Sequence, residues 1–451
     1  MIAAAHHIAP ATRTEPAFMA FTAPRLSAAA IAAAFPAEPL VSWTSNELVI
    51  VGIGIARELR GHGVSRWQDV IDAASTSRSI FAGARVVVDG VAASGIDALG
   101  FARPRFLGGA AFAPGAADRA PWQGFGDAWF VLPRWTYVSD GARAMFVLAA
   151  DASDVADSAR WQAELARLRA ISAVATEQPP LVELQPAAAD EWRAQVTDIT
   201  NAIARGACSK IVAARTCAVA LAGNVDAASL LAALDDRHAD CVRVLVRPPH
   251  AGMLVAATPE RLVRRDGRTV QCDALAGTIS IGTDDARAKL LASAKDRREH
   301  DLVVEAIRVA LEDAGAVIEL DRHREPDVRA LRHVLHLHTP FHATLREPRH
   351  VLELVARLHP TPAVGGTPTA SAIEWIQSHE PALRGWYSSP VGWFDLDGNG
   401  ELAVAIRSGV FVGNRAHLYA GAGIVAGSDP DRELAETDAK FRAMLGALGV
   451  R

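Results

Sequence analysis

Residues 390–425 read PVGWFDLDGNGELAVAIRSGVFVGNRAHLYAGAGIV, and the punctuation of this stretch sets the fold class. Short runs rich in strand-forming residues are broken by turn residues, most clearly at Asp397-Gly398-Asn399-Gly400. Asp-Gly and Asn-Gly accept the positive φ angles that tight hairpin turns require, so the stretch predicts successive hairpins. Upstream, ARVVVDG (84–90), RFLGGAAF (105–112), DAWFVLP (127–133), RWTYVSD (134–140) and AMFVLAA (144–150) follow one another between Gly/Pro turns. Strands without intervening helices predict an antiparallel meander rather than alternating parallel units. Further strands are expected at LVIVGIGIAREL (48–59), SKIVAARTCAVAL (209–221), VRVLVRP (242–248), GMLVAAT (252–258) and VLHLHTPFHATL (334–345). Helical patterns cover 64–75, 155–175, 190–206, 227–235, 286–314 and 369–379, with a last helix from Asp431. PPLVELQPAAAD (179–190) reads as a connector. The chain is therefore expected to be α+β, with large antiparallel β-sheets and helices packed outside.

The composition bounds the function. The 451 residues are 50% hydrophobic and 22% charged, an ordinary globular balance. A net charge of −5 gives no basic footprint for nucleic acid. No apolar run is long enough to span a bilayer. Cys208, Cys217, Cys241 and Cys272 form no CxxC pair, which points to reduced, buried thiols rather than disulfides or zinc. The N-terminus lacks the basic start and apolar centre of a secretory signal, and a cytoplasmic location is expected. Residues 1–25, rich in Ala and Pro at their start, are expected to be a loose extension, with 26–451 a single catalytic domain whose motifs lie in 190–451.

Several residues carry potential chemistry, each with a plainer reading beside it. Gly52-Ile-Gly54 opens a dinucleotide fingerprint, but Arg57 stands at its third position, so close strand packing is the better account. Glu433 and Glu436 share a helix face behind Ser428-Asp429-Pro430. They are either a solvated first turn complementing the helix dipole or oxygen ligands for a hard cation. Asp296 and Glu299 are spaced alike on a second helix. Glu260 follows a proline at a strand end, where a raised pKa would make it a general acid. Lys210 lies in an apolar strand, where burial is costly unless the amine has work to do. His333, His336, His338 and His342 suggest zinc, but on an alternating strand His333 points away from His336 and His338.

Together these stretches resemble the chorismate-utilising enzymes, the family of anthranilate, aminodeoxychorismate, salicylate and isochorismate synthases. The motifs occur in the order that family shows: SKIVAART, ATPERL, ALAGT, KDRREH, LHLHT, PTPAVGGTP, SPVGW, AIRSG and AGAGIVAGSDPDRELAETDAK. LHPTPAVGGTPT (358–369) looks like the isochorismate synthase branch; anthranilate-type members carry a different segment, typically ending in GAPK. Ala276 stands where aminodeoxychorismate-type members have a lysine, and Ala363-Val364 where salicylate synthases tend to have Thr-Ala.

The resemblance implies a reversible, Mg²⁺-dependent isomerisation of chorismate by a monomer, with no nucleic-acid or membrane partner. Lys210 would activate water and Glu260 would protonate the leaving oxygen. Glu299 and Glu436 would hold Mg²⁺ on the ring carboxylate, supported by Glu433 and Asp296. Gly277, Thr278, His336, Ala363, Val364, Tyr387, Arg407, Gly421, Gly423 and Lys440 would line the substrate. Tyr387 and Arg407 match positions that hold the enolpyruvyl carboxylate. Salicylate synthase is the main alternative. Amination, a Mg²⁺-dependent phosphotransferase and an inactive scaffold are weaker, because no ammonia source or Walker motif is present and the four central polar residues are retained together.

Overall fold

The computed structural model describes residues 16–450 apart from 152–153, 156, 174–176, 187 and 320–324. Among the described residues, one sheet of 14 strands and one of 10 carry an α+β fold with helices packed on them, as the sequence predicts. The described strand pairs are antiparallel, except that Ala17–Thr22 runs parallel to Arg85–Val88. No helix among the described residues is long and apolar enough to cross a membrane. Cys208, Cys217, Cys241 and Cys272 are buried free thiols.

The predicted hairpins at 390–425 form, but they divide between the sheets. Pro390–Asp395 pairs with Gly400–Val404 in the smaller sheet, and Ser408–Val412 pairs with Arg415–Val425 in the larger. The chain crosses between sheets at Ala405-Ile406-Arg407. It crosses again at Pro259-Glu260, between Met253–Thr258 of the larger sheet and Arg261–Asp266 of the smaller. The two crossovers are stitched together: Val404 N–H donates to Glu260 O at 3.0 Å, and Ala257 N–H donates to Arg407 O at 3.1 Å. Backbone groups freed from the ladders thus find each other. Arg407 adopts φ +49°, an uncommon conformation for a residue with a Cβ.

Several expectations need correction. The upstream strands are not one meander, because Arg105–Ala110 and Ala128–Leu132 join the smaller sheet while Trp135–Ser139 and Ala144–Ala150 join the larger. Their residues are almost all buried, so no alternation marks which sheet they enter. The extension expected over 1–25 is too long. Ala17–Thr22 is a largely buried strand between Ala144–Ala150 and Arg85–Val88, while residues 1–15 lie outside the described residues. The 48–59 segment is two strands, Val49–Ile53 and Arg57–Gly61, in different sheets. The 179–190 connector contains Leu181–Gln185, an exposed edge strand on Lys210–Leu221. The 286–314 helix is two, Ala286–Ala292 and Ala294–Asp313, broken at Ser293, whose side chain caps the second by accepting from Asp296 N–H. The last helix runs over Pro430–Ala447, with Asp429 accepting from two N–H groups of its first turn.

Ala294–Asp313 packs on Thr269–Ser280, and Pro430–Ala447 packs on Arg415–Val425. Lys210–Leu221 lies beside Arg415–Val425, with Val212 opposite Gly423 and Ala214 opposite Gly421. These placements bring both acidic helices and the buried lysine to the sheet crossovers.

Candidate active site

One cavity is lined by Glu260, Gly277, Thr278, Glu299, His336, Ala363, Val364, Tyr387, Arg407, Gly421, Gly423, Glu436 and Lys440. All ten expected substrate-lining residues are there, with three of the six expected catalytic and metal residues. Lys210, Glu433 and Asp296 do not reach the wall. Lys210 is fully buried and its Nζ lies 2.9 Å from Glu299 Oε1. Glu433 is buried against Lys295, 2.6 Å away. Glu436 Oε1 pairs with Lys440 Nζ at 2.7 Å, and the same ammonium donates to Gly421 O at 2.8 Å. Each of these three glutamates is therefore matched by a lysine.

Glu260 is only 4% exposed. Burial pushes its pKa up to about 8, although the nearby Lys210 pulls it down. It therefore lines the cavity as a neutral acid at neutral pH. Glu299 is tuned the other way: burial opposes its ionisation, but Lys210 and Lys295 outweigh burial and hold it below the ordinary carboxylate range. Burial and Glu436 raise Glu433 to about 7, and burial also raises Asp296.

A polar chain runs along the wall through Arg407, His336 and Thr278. Arg407 Nη2 lies 2.9 Å from His336 Nε2, and His336 Nδ1 lies 3.0 Å from Thr278 Oγ1 and 3.3 Å from Gly277 O. Arginine can only donate, so Nε2 accepts and Nδ1 carries the proton. Burial and Arg407 depress the His336 pKa well below its usual value, which keeps the ring neutral. Thr278 accepts from His336 and retains its own hydroxyl proton for another acceptor. His338 instead faces Asp273, with Nε2 2.9 Å from Oδ1, so the histidine run divides its contacts rather than converging on one ion.

The glycines answer a packing need. A Cβ on Gly423 would lie 2.2 Å from Glu299 Oε1 and 2.8 Å from Lys210 Cε. A Cβ on Gly421 would lie 2.8 Å from the Tyr387 hydroxyl oxygen. Tyr387 stacks on Tyr419 at 5.0 Å, and Tyr419 completes part of the wall.

Sequence reasoning missed Val212, Leu275, Ser388, Ile406, Tyr419 and Ala420 on the wall. It also missed the buried pair Arg384–Glu380. Arg384 donates to Val364 O at 2.6 Å and Val212 O at 2.7 Å, while Glu380 accepts from Ala214 N–H at 3.0 Å. The i,i+4 spacing of this pair was the available signal.

The carboxylates also bear on metal binding. Among the described residues, the group of three possible donors with ligand atoms within 4.8 Å of one another is His238, Asp240 and Cys241, not the four acids. Lysine ammoniums engage three of those acids instead. The acids nonetheless fit a hard divalent ion: their donors are all carboxylate oxygens, two reach the cavity, and the field of all four is shared.

The chain is similar to known proteins over most of its length. The family model described as chorismate binding enzyme matches residues 22–449. The salicylate biosynthesis isochorismate synthase of Pseudomonas aeruginosa is 38% identical over 422 residues, covering 91% of this chain and 85% of that protein. The isochorismate synthase MenF of Bacillus subtilis is 39% identical over 58% of this chain and 56% of its own length. The solved structure of the menaquinone-specific isochorismate synthase MenF from Escherichia coli superposes with a TM-score of 0.78 at 25% identity, covering 96% of this chain and 95% of that one.

Proposed function

The chain belongs to the chorismate-binding enzyme family, and from that premise we propose that it is an isochorismate synthase. The observation that carries the reading is Glu260, a buried acid held protonated on the wall of a cavity that also presents Arg407 and Lys440. Moving a hydroxyl group around the chorismate ring requires that combination. Water adds at C2, the double bonds shift, and the C4 oxygen departs as water. The leaving oxygen needs a proton, and the attacking water must lose one.

Glu260 donates the proton to the C4 oxygen. Lys210 accepts one from the attacking water. Its ammonium is buried behind the wall against Glu299, so it acts as a base only after that contact opens, the amine turns toward the cavity and the proton leaves. Burial favours the neutral form of Glu260 that the protonation step needs. Arg407 fits one substrate carboxylate through its planar fork, steadied by His336, and the free Thr278 hydroxyl proton serves an acceptor beside Gly277. Arg384 holds the backbone at Val364 and Val212, keeping that wall in place.

Glu299 and Glu436 would hold Mg²⁺, with Glu433 and Asp296 adjusting the field. When bound, the ion supplies positive charge that neutralises the ring carboxylate of the substrate. Ala276 supports water over a covalent amine route. Ala363-Val364 supports stopping at isochorismate. The salicylate pathway named for the Pseudomonas relative keeps pyruvate elimination by this same chain as the second reading. The test is chorismate consumption after chelation: the reading expects loss of turnover with EDTA and recovery on adding Mg²⁺. Full turnover in EDTA would overturn the metal assignment.

A further inference from the structure

A second cavity opens beside the last helix, away from the catalytic wall. Its rim carries Arg237, Arg332 and Arg442, and its lining includes His238, Phe441 and Leu445. Arg237 donates to Gly446 O and Arg332 to Arg237 O, and among the described residues none of the three arginines has a carboxylate partner. The acid that borders the cavity, Asp438, is already ion-paired with Arg215. Exposed arginines are often simply solvated. His238 is different: it is 2% exposed, lines the cavity, and its buried Nδ1 has no hydrogen-bond partner. A buried polar atom left unpaired is costly and calls for a partner.

The charge selects the ligand. His238, Asp240 and Cys241 draw possible metal donors together, but Arg407 lies in the field of that loop and the rim adds three more guanidiniums. This surrounding favours an anion over a cation. The aromatic and aliphatic wall favours an apolar body behind the charge.

We propose that this cavity binds a small carboxylate with an apolar body, its carboxylate held by Arg332, Arg442 and His238 and its body against Phe441 and Leu445. The site communicates with the catalytic cavity through one helix. At 100° per residue, Glu433, Glu436 and Lys440 occupy one face of Pro430–Ala447, while Asp438, Phe441, Arg442 and Leu445 occupy the opposite face. The loop holding Arg332 also leads directly into the strand that presents His336. Occupancy therefore shifts the apparent KM for chorismate.

The test is calorimetric titration of the full chain with benzoate, with inorganic phosphate as the comparison probe. The proposal expects saturable one-to-one benzoate binding that weakens at least tenfold in the Arg332→Gln/Arg442→Gln variant and persists in Arg407→Gln. Phosphate should bind much more weakly, because it has no apolar body. The double variant should keep basal turnover but lose the benzoate effect on KM. Benzoate binding that survives in the double variant, or vanishes in Arg407→Gln, would overturn the assignment. So would phosphate binding as tightly as benzoate. The calorimetric arm does not depend on the reaction assigned above, so failure of one reading is separable from failure of the other.

Discussion

Lys210 Nζ and Glu299 Oε1 lie 2.9 Å apart in a buried ion pair, joining a strand and a helix separated by 89 residues of sequence. The pair links the expected base to an expected metal ligand. Removing one partner strands a charge in the interior, which costs about 3–5 kcal/mol. Lys210→Met should therefore destabilise the fold by that order in urea denaturation. Lys210→Met/Glu299→Gln should regain most of the loss, while neither variant turns over. A single variant as stable as the parent would show that the pair does not form in solution.

Glu260 sets a pH dependence. Its pKa of about 8 means that the acid is protonated below that pH and ionised above it. As a general acid it should give kcat/KM a falling limb near pH 8. Glu260→Gln should lower turnover by roughly 10²–10⁴-fold. The stability sign follows from the raised pKa. Between about pH 4.5 and 8 the folded state holds a proton that the unfolded state releases, so this group lowers stability as pH rises. Glu260→Gln should consequently raise Tm at pH 8–9 relative to the parent and change it little at pH 4.5. Equal Tm gaps at both pH values would contradict the burial argument.

Arg407 is held in the left-handed region and bonded to His336, which fixes its fork. Arg407→Lys keeps the charge but loses bidentate geometry. A charge-assisted hydrogen bond is worth about 1.5–3 kcal/mol, so kcat/KM should fall roughly 10–100-fold, mainly through KM. A loss confined to kcat would place Arg407 at the reacting atoms instead.

Gly423→Ala tests the close approach without removing any charged group. Its Cβ would overlap Glu299 Oε1 and the Lys210 side chain. Turnover and Mg²⁺ affinity should both drop. Ordinary activity would mean that the glutamate and lysine sit elsewhere in solution.

Much of this site was legible because its residues fall in short motifs whose order is visible along the chain. Glu260, Arg407 and His336 are found that way, and the structure gathers them. What the sequence conceals is the reason they meet. The crossovers at Glu260 and Arg407 follow Met253–Thr258 and Gly400–Val404, strands buried along their whole length, so apolar periodicity cannot say which sheet each enters. Lys210 read as a buried amine, but its partner was invisible at such sequence distance. Ala17–Thr22 was missed because a short apolar strand beside an Ala/Pro-rich start carries no alternation. The break at Ser293 needed its cap to be weighed against the helical run on either side.

The most direct measurement is a product assay with chorismate and Mg²⁺, without ammonia or glutamine, and with pyruvate followed in parallel by a coupled enzyme. The account predicts an equilibrating mixture of chorismate and isochorismate with no pyruvate released. Salicylate with matching pyruvate would contradict it and assign the chain the elimination as well.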